Sequence, residues 1–201
     1  MPAFVKWAHR HPWRWLLVYL VCTAALYQFA IRVHLHGPIV IYPSAFDDSV
    51  PVVPWTAWLY ATYFLLMPSF VLLARHHPER GRLLMAAGLC VVGNLVINIL
   101  VPTELAQPLT ADTAGGGLLG QIVSGDTPRA ALPSGHVALP LALALLALRH
   151  NLPHAWIYGP WLIVMSTVVL TTKQHYLVDV IGGLAWGAIA PSITIRLTRP
   201  R

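Results

Sequence analysis

The chain has 201 residues, of which 57% are hydrophobic and only 10% are charged. A soluble domain carries about 25% charged residues, so the composition predicts an integral membrane protein. The formal net charge of +6 does not indicate nucleic-acid binding, because the basic residues lie at the ends of apolar segments and form no stripe with interleaved aromatic residues. We therefore expect no nucleic-acid partner.

Hydrophobic segments of about 20 residues can cross the hydrocarbon core of a bilayer, and the chain contains six candidates. They predict an all-α, polytopic membrane protein with six transmembrane helices in a single bundle. We expect one membrane-embedded domain over residues 1–201. The predicted spans cover roughly residues 15–33, 54–74, 83–102, 135–149, 155–172 and 176–196.

The first predicted span follows three basic residues, Lys6, Arg10 and Arg14. A basic segment before an apolar one is also the pattern of a signal peptide. Because no small-x-small cleavage site follows this segment, we interpret the span as an uncleaved anchor in the membrane.

The lysine and arginine residues are distributed unevenly over the ends of the spans. If the N-terminus is cytoplasmic, ten of them lie on the cytoplasmic side, and only Arg32, Arg129 and Lys173 lie on the opposite side. The positive-inside rule favours this orientation, with both termini cytoplasmic in a cell inner or plasma membrane. The ten are Lys6, Arg10, Arg14, Arg75, Arg80, Arg82, Arg149, Arg196, Arg199 and Arg201.

Two motifs with ionisable residues lie on the same, non-cytoplasmic side in this topology. The first motif, Pro133-Ser134-Gly135-His136, opens the fourth predicted span. A helix that begins there directs unpaired N–H groups and the positive end of its dipole toward its first residues, an arrangement that binds phosphate. Ser134 adds a hydroxyl, Gly135 removes steric bulk, and His136 is placed to donate a proton to a leaving oxygen.

The second motif runs from Lys173 to Asp179 and opens the sixth predicted span. His175 and Asp179 are four residues apart, so on a helix they share one face. The carboxylate can then hold one ring nitrogen and leave the other free to act as a nucleophile or a base. Lys173 adds a cation beside this pair.

The loop before the fourth span contains one close pair of opposite charges, Asp126 and Arg129. Two interpretations stay open for it. The pair can form a local salt bridge that orders the loop, or Arg129 can contact an anionic substrate. The glycine run at residues 115–117 lacks the Gly-Lys-Ser/Thr ending of a nucleotide-binding loop, and we interpret it as a linker.

Several other residues of the spans are interpreted as structural. Asn94 and Asn98 form a polar stripe that is expected to meet partners inside the bundle, because interhelical hydrogen bonds are ordinary in membrane proteins. Gly182, Gly183 and Gly187 have the spacing that lets another backbone approach closely. An aromatic belt at the membrane interface is expected to consist of Trp55, Trp58 and Tyr60.

Three further interpretations of His136, His175 and Asp179 stay open from the residues alone. They can form a buried polar network, since ionisable groups inside a membrane are costly and need partners. Two histidines and a carboxylate can also bind zinc together with a water molecule, although the spacing lacks a His-x3-His pair. A membrane transporter can use the same residues as a proton relay, although paired broken helices and an internal repeat are not evident.

At these motifs the sequence resembles the type 2 phosphatidic acid phosphatase superfamily, whose hallmarks are Pro-Ser-Gly-His and a later histidine with an aspartate four residues on. The resemblance covers roughly residues 47–187. Within the superfamily the sequence is most similar to the branch that includes the inositol phosphorylceramide synthases. Three segments carry that similarity: Asp48-x-x-Pro51-x-x-Pro54-Trp55, Pro102-Thr103 and His175-Tyr176-x-x-Asp179-Val180.

The resemblance implies phosphoryl transfer without a metal or another cofactor. His175 would be the nucleophile that forms a phosphohistidine, Asp179 would orient it, and His136 would protonate the leaving group. We therefore expect an integral membrane lipid phosphatase that removes phosphate from a lipid phosphate or pyrophosphate. The alternative is a lipid head-group phosphotransferase of the inositol phosphorylceramide synthase type, in which a lipid hydroxyl replaces water as the acceptor.

Two basic segments of the superfamily are missing from this chain. The superfamily's Lys-x6-Arg-Pro segment corresponds here to residues 102–108, which contain Glu104 and no basic residue. Its Ser-Arg pair before the second histidine is replaced by Val168 and Val169. The residues predicted to bind the substrate phosphate are therefore Ser134, Gly135, Lys173 and Arg129.

Overall fold

The computed structural model describes residues 2–33 and 37–197, and it is mostly helical, as predicted. Arg199 and Arg201, which contribute to the predicted orientation, lie outside the described residues. The α-helices are α1 (Ala3–Arg10), α2 (Pro12–Arg32), α3 (Ala45–Ser49), α4 (Ala57–Ala61), α5 (Leu66–Leu73), α6 (Arg80–Leu100), α7 (Ala111–Ala114), α8 (Gly117–Gly125), α9 (Gly135–Arg149), α10 (Tyr158–Thr171) and α11 (Leu177–Leu197). Three 3-10 turns, Pro54–Thr56, Thr62–Leu65 and Ala155–Ile157, and two strands, β1 (Ile39–Ile41) and β2 (Thr103–Leu105), complete the elements.

Four helical segments of the described chain are long and apolar enough to cross a membrane: Pro12–Arg32, Pro54–Leu73, Arg80–Leu100 and Leu177–Leu197. The other two predicted spans are shorter apolar helices, Gly135–Arg149 and Ala155–Thr171. At 1.5 Å per residue, the 15 residues of α9 measure about 22 Å, less than the thickness of about 30 Å of a hydrocarbon core. The structure therefore supports a membrane protein with four such spans, and the count of six stays a prediction.

The second span is broken, because α4 and α5 are separated by the 3-10 turn Thr62–Leu65. Threonine hydroxyls in this segment bond back to main-chain carbonyls: Thr56 Oγ1 donates to the Val53 oxygen at 2.6 Å, and Thr62 Oγ1 donates to the Leu59 oxygen at 2.5 Å. Such back-bonding competes with regular helical hydrogen bonds and bends helices. The side chains before and after the 3-10 turn therefore point in directions that one regular α-helix would not give.

The connecting segments gather at two opposite ends of the bundle. One end, which we name the motif end, contains residues 37–53, 101–134 and 172–176. There β1 pairs with β2 in parallel, with Ile39 opposite Thr103 and Ile41 opposite Leu105. Both predicted motifs begin at this end, as the topology required.

The other end, which we name the basic end, contains α1 and the turns at residues 74–79 and 150–154. The Arg80 Nε donates to the His9 carbonyl oxygen at 2.5 Å, which joins the start of α6 to α1. His150 Nδ1 lies 3.3 Å from Glu79 Oε2, which joins the turn after α9 to the start of α6. Most of the basic residues with described positions lie here.

Helices α9 and α11 pack with their backbones in near contact at two glycines of α11. A Cβ atom on Gly183 would lie 2.6 Å from the Ser134 carbonyl oxygen, and one on Gly187 would lie 2.5 Å from the Ala138 carbonyl oxygen. Real Cβ atoms essentially never approach so closely, so only glycine permits this seam. The packing role predicted for these glycines is confirmed.

Candidate active site

The first motif forms the start of α9. Ser134 precedes the helix with an extended backbone and is fully buried, and its N–H donates to the Asp179 carbonyl oxygen at 3.0 Å. Its hydroxyl oxygen has no hydrogen-bond partner among the described residues. A main-chain hydrogen bond therefore joins the two motifs directly, and a buried hydroxyl remains free at the positive end of the α9 dipole.

Asn94 of α6 stabilises the start of α9 by a hydrogen bond. Its Nδ2 donates to the Pro133 carbonyl oxygen at 3.1 Å, and a Cβ on Gly135 would lie 3.4 Å from that same nitrogen. Both Asn94 and Asn98 are buried, and each Oδ1 is without a hydrogen-bond partner in the part of the chain that the structure describes. The expectation that the polar stripe meets partners inside the bundle is confirmed for Asn94, whereas the Oδ1 of Asn98 does not meet one among the described residues.

The second motif begins in the turn between α10 and α11. Lys173 has a φ of +55°, and α11 begins only at Leu177. His175 therefore precedes the helix, and the expectation that His175 and Asp179 share one helical face is wrong in that detail. Asp179 instead reaches back from the third position of α11, where its Oδ2 accepts from the Tyr176 N–H at 2.8 Å, as in half of a capping box.

The histidine and the aspartate nevertheless face each other. His175 Nδ1 lies 3.5 Å from Asp179 Oδ2, and both side chains are buried. This separation is an ion-pair distance but is longer than a good hydrogen bond. Among the described residues, His175 Nδ1 and Asp179 Oδ1 accordingly have no hydrogen-bond partner. The contact can shorten when charge develops on the imidazole, since catalytic hydrogen bonds often tighten only in the reacting complex.

His136 meets His175 across the motif end. Their ring centroids are 5.7 Å apart with the ring planes tilted by 57°. On its other sides His136 contacts two tyrosine rings of the broken second span, with centroid distances of 4.5 Å to Tyr60 and 4.4 Å to Tyr63. The structure thus brings His136, His175 and Asp179 together and adds an aromatic enclosure.

The aromatic belt expected at the start of the second span does not include Tyr60. Trp55 and Trp58 are 64% and 69% exposed, as suits residues that face lipid, whereas Tyr60 is only 6% exposed. Tyr60 lies in α4 and Tyr63 lies in the 3-10 turn that follows it, and both rings contact the His136 ring. A pair of tyrosines three residues apart was the sequence signal for this enclosure.

The two predicted phosphate-binding cations are held by other groups at the motif end. Lys173 Nζ donates to the Asp47 carbonyl oxygen at 2.5 Å. Arg129 Nε lies 3.3 Å from Glu104 Oε2 in an ion pair. Their contact with a substrate phosphate stays a prediction.

The salt bridge expected between Asp126 and Arg129 is not among the ion pairs of the described residues. The Asp126 carboxylate instead accepts hydrogen bonds from the Tyr27 hydroxyl and the Thr127 N–H. Glu104 takes the place of Asp126 beside Arg129 because the two residues form an antiparallel bridge between their segments. The loop is therefore ordered by contacts with distant segments.

Asp47 was not among the site residues predicted from the sequence. Its Oδ1 accepts from the Leu177 N–H at 2.7 Å, and its Oδ2 accepts from the Ser44 N–H at 2.8 Å and from the Ser44 hydroxyl at 2.6 Å. One buried carboxylate thus caps α3 and the start of α11. The signal in the sequence was Ser44-x-x-Asp47, the spacing of a capping box.

The ionisation of Asp47 follows from these contacts. Burial of the carboxylate acts to raise its pKa, but hydrogen bonds from Ser44 and from the Leu177 N–H, with the Lys173 ammonium nearby, hold the pKa of Asp47 below its ordinary value of 3.8. Asp47 is therefore anionic at neutral pH. It fixes the turn that carries His175 by charge as well as by hydrogen bonds.

The two residues that replace the superfamily's Ser-Arg pair lie in an apolar environment. Val168 and Val169 are 2% and 0% exposed and pack in one hydrophobic cluster with Val137, Met165 and Val180. An arginine there would need a buried partner.

Among the residues that the structure describes, no group of three or more histidine, cysteine, aspartate or glutamate side chains is arranged to hold a metal ion.

A family model described as the PAP2 superfamily, the type 2 phosphatidic acid phosphatase group, matches residues 24–193 of the chain. The match includes all three residues of the histidine and aspartate cluster. No curated protein and no solved structure matches the chain significantly.

Proposed function

Because the chain belongs to the PAP2 superfamily, we propose that it is an integral membrane phosphatase that acts on a lipid phosphate or pyrophosphate through a phosphohistidine. Members of the superfamily are phosphatases or phosphotransferases, and membership supports a phosphoric ester hydrolase in general. We further propose that the substrate is a lipid, that the intermediate is a phosphohistidine, and that single residues have the roles given below.

One observation carries the proposal. His136 and His175 face each other with ring centroids 5.7 Å apart, and Asp179 lies 3.5 Å behind the Nδ1 of His175. All three residues lie beside the first turn of α9, whose dipole and N–H groups favour an anion. Two histidines in different environments can divide the work of nucleophile and acid between them.

The first step transfers the phosphoryl group to the protein. The Nε2 of His175 attacks phosphorus, so that a nitrogen–phosphorus bond forms while the bond from phosphorus to the lipid oxygen breaks. His136, which is protonated when the anionic substrate lies beside it, gives its proton to that leaving oxygen. Asp179 stabilises the positive charge that develops on the His175 ring, and the proton on Nδ1 stays there.

The second step restores the protein. Water attacks phosphorus, neutral His136 takes a proton from that water, and the nitrogen–phosphorus bond breaks to release inorganic phosphate. The phosphate oxygens are held by the N–H groups of the first α9 turn and by the buried Ser134 hydroxyl. Gly135, Lys173 and Arg129 complete the phosphate site that we propose.

A lipid substrate is supported by the surface next to the site. The segment that carries Tyr60 and Tyr63 also presents Trp58, Phe64 and Leu65 outward, with exposed fractions of 69%, 68% and 57%. Exposed apolar side chains on a membrane helix face acyl chains, so the phosphate of a lipid can reach His136 while its tail stays in the bilayer. We further propose that the basic end is cytoplasmic, which places the site at the opposite membrane surface.

The test is phosphate release by the purified protein in detergent from a panel of lipid phosphates and pyrophosphates. We expect His175→Ala and His136→Ala each to lose activity by about 10³-fold or more, and His11→Ala, a change of an exposed histidine at the basic end, to keep it. A chelator is expected to change nothing. Unchanged release by His175→Ala, or loss of activity on chelation, would contradict the proposal.

Two further measurements test the phosphohistidine intermediate and identify the group that accepts the phosphoryl group. The wild-type protein is incubated with a substrate that carries a radiolabelled phosphate. A protein label that is labile in acid and stable in alkali, and that is absent in His175→Ala, identifies a phosphohistidine. Addition of ceramide or diacylglycerol tests the transferase alternative, because new phospholipid in place of free phosphate would show that a lipid hydroxyl is the acceptor. That result would assign the chain to the branch expected from the sequence.

A further inference from the structure

An open cavity of about 570 Å³ lies at the basic end, on the opposite side of the bundle from the histidine pair. It is enclosed by the end of α5 with the turn that follows it, and by the turn after α9. Its volume falls within the range of about 300–1,000 Å³ that small-molecule sites occupy. None of its lining residues belongs to the candidate active site.

The cavity has an apolar wall and a basic rim. The wall includes Leu72, Leu73 and Leu152. Leu152 is buried, whereas Leu72 is 47% exposed on the outer surface of α5. The apolar wall thus continues from the cavity onto the surface that faces the lipid.

The rim is formed by Arg75, His76 and His154, all of which are exposed. No acidic residue is among those that line the cavity in the described part of the chain. Glu79, the acidic residue of the same turn, has one carboxylate oxygen paired with Arg82 and the other 3.3 Å from His150 Nδ1. The charge of the rim is therefore not cancelled by this neighbour.

We propose that this cavity binds the headgroup of an anionic phospholipid. The phosphate contacts Arg75 and the two imidazoles, and one acyl chain lies along Leu72 on the outer face of α5. Basic pockets between the helices of membrane proteins recognise anionic headgroups by this combination of charge and apolar surface. The site is independent of the phosphatase assignment, because it shares no residue with that site.

The test is direct binding of short-chain lipids to the purified protein in dodecyl maltoside, followed by native mass spectrometry and by titration. Dioctanoyl phosphatidylglycerol is the anionic probe, and dioctanoyl phosphatidylcholine is its neutral counterpart. We expect the anionic lipid to bind at least tenfold more tightly. Arg75→Gln should weaken its binding by about tenfold, the effect of one lost hydrogen bond between charged groups.

The matched control is Arg14→Gln, which removes one exposed positive charge from the basic end outside the cavity. It should leave the affinity unchanged, whereas a double change of His76→Gln and His154→Gln should weaken it. Equal losses in Arg75→Gln and Arg14→Gln would show that general surface charge attracts the lipid. Equal binding of the neutral lipid, or of glycerol 3-phosphate without acyl chains, would also overturn the proposal.

Discussion

Substitution of Gly183 by alanine tests whether the backbone seam between α9 and α11 sets the geometry of the site. The new Cβ would lie 2.6 Å from the Ser134 carbonyl oxygen, so the helices must separate by roughly 0.8 Å to reach the 3.4 Å of an ordinary contact. A displacement of that size along the hydrogen bond from Ser134 to Asp179 would stretch it from 3.0 Å to roughly 3.8 Å, beyond hydrogen-bond distance.

Both the stability and the activity of Gly183→Ala are expected to fall. Over-packing of this kind costs about 1–3 kcal/mol of unfolding free energy, which corresponds to a fall in Tm of about 2–4 °C per kcal/mol for a chain of this size. A misplacement of about 1 Å among reacting groups can reduce the rate by about 10²-fold. We therefore expect Gly183→Ala to fold, to melt at a lower temperature, and to release phosphate about 10-fold to 10²-fold more slowly.

The assay is phosphate release from the best substrate of the panel, measured with thermal unfolding of the same sample in detergent. Gly159→Ala is the matched control, because a Cβ at Gly159 on α10 meets nothing within 4 Å. That variant should be as active as the wild type. Wild-type turnover in Gly183→Ala, or an equal loss in Gly159→Ala, would refute the reasoning.

Two more predictions concern carboxylates around the second motif. Asp179→Asn keeps an oxygen that can accept from the Tyr176 N–H, so its Tm should change little, but kcat should fall on the order of 10²–10⁴-fold because the His175 imidazolium loses its anionic partner. Unchanged kcat with a lower Tm would assign Asp179 a purely structural role. Asp47→Asn removes the charged acceptor of the Leu177 N–H and should lower the Tm at neutral pH by the equivalent of about 1.5–3 kcal/mol. Because the pKa of Asp47 is held below its ordinary value of 3.8, this stabilisation is complete above that value and is lost as the pH falls through the lowered pKa of the folded state. The difference in Tm between the two proteins should therefore shrink as the pH falls below 3.8, and a difference that stays constant from neutral pH to well below that value would contradict the assignment to Asp47.

The parts of the fold that local patterns determine were predictable from the sequence. Long apolar segments gave the positions of the main helices, and Pro133-Ser134 gave the start of α9 to within one residue. The spacing from His175 to Asp179 brought the two side chains within 3.5 Å, although His175 lies before the helix. The two side chains still meet because the third residue of a helix can reach back to the residues that precede the helix.

Other parts depend on contacts between distant segments, which local patterns do not contain. Asp47 bonds to the Leu177 N–H across 130 positions of the chain. Glu104 reaches Arg129 because of a bridge between two loop segments. Tyr60 packs against His136 of α9 with a ring-centroid distance of 4.5 Å, and the residues next to Tyr60 in the chain do not indicate that contact.

The seam between α9 and α11 has a consequence for how this protein can be altered. Its contacts are made by backbone atoms at Gly183 and Gly187, so the opposite face of α11 takes no part in the geometry of the histidines. That face carries Val178 and Ile181, which are 44% and 56% exposed. Apolar substitutions of these outward residues, for example to suit another host membrane, are therefore expected to leave the arrangement of His136, His175 and Asp179 unchanged.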